Sequence, residues 1–265
     1  MDSNSLLKLR QTYNRTRRWL GLVSLAAGLL AWWLAARYGG LPAFILPSPS
    51  DVWTRFLRAL VSGELARHTG ATLLEVLLGL FFGTTFAIII GYILAKSRAL
   101  EQILSPYLVA SQAVPLVAIA PLLVLWFGPG IFSKILIVGL IVFFPVLVNT
   151  VFGIRAVPPA YYDLMRSLRA SRRQILQHLE IPAALPIFFG GLRIGATLSV
   201  IGAVVGELVG ANTGLGVLIN ISRGTFDTPM VFVAVFTLIV LALCLYGIVA
   251  WMERKFLIWQ EHVRQ

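Results

Sequence analysis

Apolar residues run through this chain in long blocks, and charged residues gather between the blocks rather than inside them. A helix needs about 20 mostly apolar residues to cross a bilayer. Six segments reach that length: residues 19–38, 70–95, 107–127, 131–154, 186–210 and 229–252. Gly39-Gly40 closes the first and Gly128-Pro129-Gly130 closes the third, in keeping with the breaking power of glycine and proline. The pattern predicts an all-α membrane protein of six transmembrane helices. Residues 1–265 then form one transmembrane domain, with residues 1–18 a polar arm before the first span.

Two of the intervening stretches carry shorter patterns. In residues 41–69, Leu46-Pro47-Ser48-Pro49-Ser50-Asp51 reads as a turn and a helix start. Val52, Phe56, Leu57 and Leu60 then recur at helical spacing. A short helix on the membrane surface and a plain connector both fit. Residues 155–182 hold a double pattern. Pro158-Pro159 suits a first helical turn, and Tyr161, Leu164, Met165 and Leu168 fall on one face. Asp163, Arg166, Ser167 and Arg169 fall elsewhere. Ser171 followed by Gln174 fits a capping box, opening a second short helix with Ile175, Leu176 and Leu179 on its apolar face. Pro182 and Pro186 mark entry into the fifth span. The two short helices meet at Arg169-Ala170-Ser171. An apolar face outside the bilayer must be covered. Either a partner's groove or the protein's own helix ends could cover it.

Composition strengthens the membrane reading. Charged residues make up 12% of the chain and hydrophobic ones 58%, whereas soluble domains keep roughly a quarter charged. A charge in hydrocarbon costs about 2.5–3.5 kcal/mol. The formal net charge of +11 could signal nucleic acid, but its distribution points elsewhere. Fifteen Lys and Arg lie in the N-terminal arm, the second and fourth loops and the C-terminal tail. Six lie toward the opposite side, Arg37 and Lys134 at the ends of spans and the rest in loops, and Arg193 lies deeper within a span. That bias places both termini in the cytoplasm of a bacterial inner membrane protein and leaves no role for nucleic acid. Cys244, the single cysteine, excludes an internal disulfide and a cysteine metal cluster. Arg15, Arg17 and Arg18 precede an apolar stretch, but no small-residue cleavage site follows before Arg37. The stretch therefore reads as a retained span rather than a removable signal.

Polar and small residues inside the spans need a partner, a close neighbour or water. Gly191, Gly195, Ser199 and Ala203 step by four along the fifth span, and Gly202, Gly206 and Gly210 form a second ladder. Small residues let helices approach closely in lipid, within one subunit or between two. Glu75, Arg193 and Glu207 must face the bundle interior or water. Arg193 and Glu207 lie 14 residues apart, about 21 Å along one helix, too far to pair. Glu75 and Arg193 differ in expected depth. Glu207 could line a substrate entrance or cap nearby backbone. Ser111, Gln112, Pro115 and Pro121 interrupt the third span, as a cavity-lining break or a kink.

The 155–182 loop resembles the cytoplasmic signature of binding-protein-dependent permeases of the ATP-binding-cassette class. That signature reads Glu-Ala-Ala, three residues, Gly, nine residues, Ile, one residue, Leu-Pro. Here Asp163-Leu164-Met165 is followed by Arg166-Ser167-Leu168 and Arg169, and nine residues later by Leu179, Glu180, Ile181 and Pro182. Arg169 stands where the family has glycine, so a left-handed turn there would cost about 1–2 kcal/mol. The likeness extends to Leu46-Pro47-Ser48-Pro49, the run from Pro121 to Gly128, Pro182-Ala183-Ala184-Leu185-Pro186, Gly191-Leu192-Arg193 and Gly214-Leu215-Gly216. It is greatest for the branch importing nitrate, sulfonates, taurine and related molecules, and covers nearly all of the chain after Leu41.

The resemblance implies a type I importer permease fold with a cytoplasmic coupling helix between spans four and five. It assigns Asp163, Leu164, Met165, Arg166, Ser167, Leu168, Arg169, Ala170 and Ser171 to docking on an ATPase. It implies a dimer of permease subunits, two cytoplasmic ATPase subunits and an extracytoplasmic binding protein. ATP and Mg would sit on the ATPase and no cofactor on this chain. No Gly-x-x-x-x-Gly-Lys-Ser/Thr run occurs here. The substrate class is a small anion or a vitamin-like solute. The resemblance also places the fifth span, with Ser199, along the pathway, where Glu207 and the break at Ser111, Gln112 and Pro115 are the further candidates read from the residues themselves. An ion-driven secondary transporter would favour matched halves and a mid-depth carboxylate relay, and neither is evident. A scaffold or channel is the third class considered.

Overall fold

The computed structural model describes residues 20, 23, 24, 26–40, 42–113 and 115–257. All regular structure among them is helical. Residues 26–38 form α1, followed by α2 (Pro49–Val61), α3 (Glu64–Lys96), α4 (Arg98–Ala113), α5 (Leu116–Phe127) and α6 (Ile131–Arg155). Then come α7 (Pro159–Ser167), α8 (Arg172–Ile175), a π-helical turn (Leu176–Glu180), α9 (Ile181–Gly210), α10 (Leu215–Gly224) and α11 (Thr228–Phe256).

Among the described residues, four helical stretches are long and apolar enough to cross a membrane: Glu64–Lys96, Ile131–Arg155, Arg172–Gly210 and Thr228–Phe256. The expected first span falls partly outside the described residues, and α1 covers its second half. The expected third span is not one helix. Its residues divide between the end of α4 and the whole of α5. Pro115, with φ −68° and ψ 105°, caps α5 in an extended conformation, because proline lacks the N–H that would continue α4.

The expected start of the fifth span also moves. No separate second short helix precedes it: α8, the π-turn and α9 run on continuously from Arg172 to Gly210. Pro182 has no N–H for the carbonyl four residues back, and in a tight helix its ring would strike that carbonyl. The wider turn relieves the clash, with Ile181 N–H reaching back to Leu176 O. π-turns commonly insert into α-helices in this way.

Helix α6 sits at the centre, with α3 and α9 packed along it and α11 against α9. The packing is close because small residues face α6. A Cβ on Gly83 would lie 2.6 Å from the Gly139 carbonyl oxygen. On α9, a Cβ on Gly191 would meet Asn149 at 2.6 Å, and Gly195, Gly202 and Gly206 face Val142, Val138 and Lys134 of α6. Both ladders on α9 thus serve packing inside one subunit, where lipid offers no hydrophobic drive.

At one end of the bundle, α2 lies on α11 and contributes to a core of Val52, Ala59, Leu65, Leu215, Leu218, Met230 and Val233. Ser48 and Asp51 form its capping box. The face it buries is Val52, Phe56 and Ala59, while Leu57 and Leu60 stay exposed. Arg55 fastens it by an ion pair to Asp227 at 2.7 Å, and Asp227 also caps α11. Trp32 of α1 stacks on Phe232 of α11 and donates its indole N–H to Pro47 O at 3.1 Å.

Candidate functional site

The opposite end of the bundle carries α7. Pro158 caps it and Pro159 opens its first turn, where proline's missing N–H costs nothing. It ends in a double hydrogen bond: Ala170 N–H donates to Met165 O and Arg169 N–H to Arg166 O, both at 2.9 Å. This is the Schellman arrangement, whose first residue past the cap is left-handed. Arg169 occupies that position with φ 53°. The arginine therefore keeps the turn that a glycine would make more cheaply. Ser171 then caps α8, its hydroxyl accepting Gln174 N–H at 3.3 Å while the Gln174 side chain takes Ser171 N–H at 2.8 Å.

The result is a short helix held between two stops. Tyr161, Leu164 and Leu168 form an apolar ridge along it, 53%, 54% and 69% exposed. Met165, expected on the same face, is half-buried, as is Tyr162. Asp163 and Arg166 pair at 3.3 Å on the solvent side, an exposed pairing of little energetic weight.

Beneath α7 lies a cluster that sequence patterns do not single out. Lys96 ends α3 and forms an ion pair with Glu180, the last residue of the π-turn. The Lys96 ammonium also sits over the rings of Tyr92 at 5.6 Å and Tyr162 of α7 at 5.4 Å. Glu180 is 1% exposed. Burial, and then the charge of Glu180, pushes the Tyr162 phenol up to about 12. Nearby, Arg155 pairs with Glu101 and donates to the Leu94 carbonyl at 3.0 Å. That ties the ends of α6 and α3 to α4. In the sequence, Glu180 and Lys96 are single charges at the edges of apolar runs, and only their shared position at span ends marks them.

Of the residues placed along a pathway, Ser111, Gln112 and Pro115 lie at the α4–α5 break. Ser199 and Glu207 are buried inside the subunit. Ser199 donates to Ala196 O at 2.7 Å. Glu207, 2% exposed, accepts Thr72 O–H and Gly216 N–H, both at 2.5 Å. It thereby caps the start of α10. A Cβ on Gly214 or Gly216 would strike this carboxylate, which explains the Gly214-Leu215-Gly216 run. The open face of α9 carries Ile194, Thr197, Ile201 and Leu208 instead. Arg193 pairs with Glu253 of α11 and lies over the Tyr246 ring. Glu75 pairs with Lys134 of α6.

Long apolar helices packed on α6, a buried ion pair and a capped amphipathic helix at one end of the bundle define a polytopic membrane protein. The chain belongs to the family of binding-protein-dependent transport system inner membrane components, whose profile matches residues 83–258. It is 49% identical over 242 residues to the riboflavin transport system permease protein RibX of Chloroflexus aurantiacus, covering 91% of this chain and 90% of that one. The formylaminopyrimidine transport permease ThiX of Halalkalibacterium halodurans is 36% identical, with coverage of 88% and 92%. The taurine permease TauC of Escherichia coli is 30% identical, with coverage of 92% and 91%. These relatives lie in the branch indicated by the sequence runs. A crystal structure of an amino acid ABC transporter shares the fold, with a TM-score of 0.60 at 19% identity, covering 76% of this chain and 98% of that one.

Proposed function

We propose that the chain is the membrane-spanning subunit of an ATP-driven importer, with six spans per copy and both termini in the cytoplasm. Two copies form the pathway, two ATPase subunits bind ATP and Mg, and an extracytoplasmic binding protein delivers the solute. The segment from Asp163 to Ser171, with Leu164, Met165, Arg166, Ser167, Leu168, Arg169 and Ala170 between, docks on the ATPase. ATP-driven closure of the ATPase pair moves these segments, and the spans alternate between outward-open and inward-open states.

One observation carries this reading. The Tyr161–Leu164–Leu168 ridge stays exposed although the helix bearing it is pinned at both ends, so the ridge is shaped for a cover that this subunit does not supply. The α4–α5 break at Ser111, Gln112 and Pro115 borders the pathway, whereas Ser199 and Glu207 are buried inside the subunit. Kinship with a riboflavin permease favours a vitamin-like solute over a small inorganic anion.

The test is reconstitution of the complex with labelled riboflavin as the probe. Leu168→Glu should lower both co-purified ATPase and ATP-dependent uptake by about tenfold or more, as expected for a buried anchor residue. Uptake that persists in vesicles holding no ATPase would overturn the assignment.

A further inference from the structure

Three elements converge on one ion pair at the α7 end of the bundle, its carboxylate buried and its ammonium partly exposed. Lys96 closes α3, Glu180 closes the π-turn that leads into α9, and Tyr162 comes from α7. The ammonium of Lys96 touches all three through the Glu180 ion pair and the ring of Tyr162 at 5.4 Å. We infer that Lys96, Glu180 and Tyr162 form the joint through which displacement of α7 is passed to α3 and α9.

Each part has a physical reason to act this way. The Glu180 carboxylate is 1% exposed, so separating it from Lys96 would leave a buried charge alone, a costly state. A movement of α7 that carries Tyr162 pulls on Lys96 through the ring contact, and Lys96 follows only with Glu180. Glu180 also sits in the one turn of the 172–210 stretch whose hydrogen bonding is not α-helical, and such turns are where helices yield. The pair thus bears on the softest point of the longest helix. Arg155, bound to Glu101 and to the Leu94 carbonyl, holds the neighbouring ends of α3, α4 and α6 as a plate against which the joint works. Lys96, Glu180 and Tyr162 are positioning residues and contact no solute.

The inference rests on the importer reading, and its test separates the two. The full complex is purified with wild-type chain, Lys96→Gln, Glu180→Gln, and the charge-reversed pair Lys96→Glu with Glu180→Lys. Three quantities are read: ATPase retained, ATP hydrolysed, and riboflavin moved per ATP. The single variants should keep the ATPase and its hydrolysis while solute moved per ATP falls about tenfold, the scale of a coupled pair. Reversal should recover most of that loss. Tyr162→Phe should behave as wild type, and Tyr162→Ala as the single charge variants. Full coupling in Lys96→Gln would overturn the joint. So would a reversed pair no better than its singles, including where the singles fail to assemble. A wild-type chain that retains no ATPase sinks the importer reading itself, and the joint with it.

Discussion

Glu75 of α3 and Lys134 of α6 meet at 2.8 Å with both side chains buried. Neither has water to fall back on, so the pair stands or falls together. Glu75→Gln or Lys134→Met alone should destabilise the subunit by about 3–5 kcal/mol, since one charge is left unpaired. Glu75→Leu combined with Lys134→Met should lie near the wild type. Thermal unfolding in detergent reads both. If a single variant matches the wild type in stability, the pair is not closed in the folded protein.

The α3–α6 contact admits no added side-chain volume at Gly83, where a Cβ would lie 2.6 Å from backbone. Gly83→Ala should cost about 1–3 kcal/mol through overpacking. Gly190 has nothing within 4 Å, so Gly190→Ala should be neutral or stabilising by up to about 1 kcal/mol. Comparing melting temperatures of the two variants checks the close packing of α3 on α6, which equal effects would contradict.

Arg169→Gly should stabilise α7 by about 1 kcal/mol, the left-handed strain removed less the extra freedom of the unfolded glycine. Hydrogen exchange of the Ala170 amide, bonded to Met165 O, should slow. Faster exchange would mean that the arginine side chain contributes more than its backbone strain costs.

Tyr162 gives a sign for alkaline behaviour. Its phenol is raised from 10.0 to about 12 by burial and Glu180. The folded state therefore holds its proton where the unfolded state has lost it. That contribution is fully present below pH 10 and is lost as pH rises through about 12. Tyr162→Phe should lose less stability than wild type across that interval, as read by unfolding curves at stepped pH. A parallel loss in both proteins would contradict it.

Topology is open to labelling. With Cys244→Ser as background, Arg172→Cys should react with an impermeant thiol reagent only from the cytoplasmic side. Reaction in intact cells would reverse the orientation.

Long apolar runs made α3, α6 and α11 legible, because lipid imposes one requirement on every turn. Ser171 with Gln174 announced its cap, and Pro158-Pro159 announced the start of α7. The third span misled because the run from Tyr107 to Phe127 stays largely apolar across the break, and hydropathy does not register a lost N–H at Pro115. The fifth misled because two prolines read as a boundary, whereas the π-turn absorbs Pro182 and α9 runs on through Pro186. Partners in space were not readable at all. Arg193 could be placed by depth, but its meeting with Glu253 depends on how α9 and α11 cross. Lys134 could be placed in the first turn of the fourth span, but its meeting with Glu75 depends on how α3 and α6 pack.

The continuity of α8 with α9 has a mechanical side. A chain tethered by a slack linker absorbs a push, but a rod delivers it. From Arg172 to Gly210 the backbone is one shaft of 39 residues, about 58 Å long, with a single compliant turn near its foot. Torque applied at Ser171 is carried up the bundle and can escape only at that turn, where Glu180 is clamped.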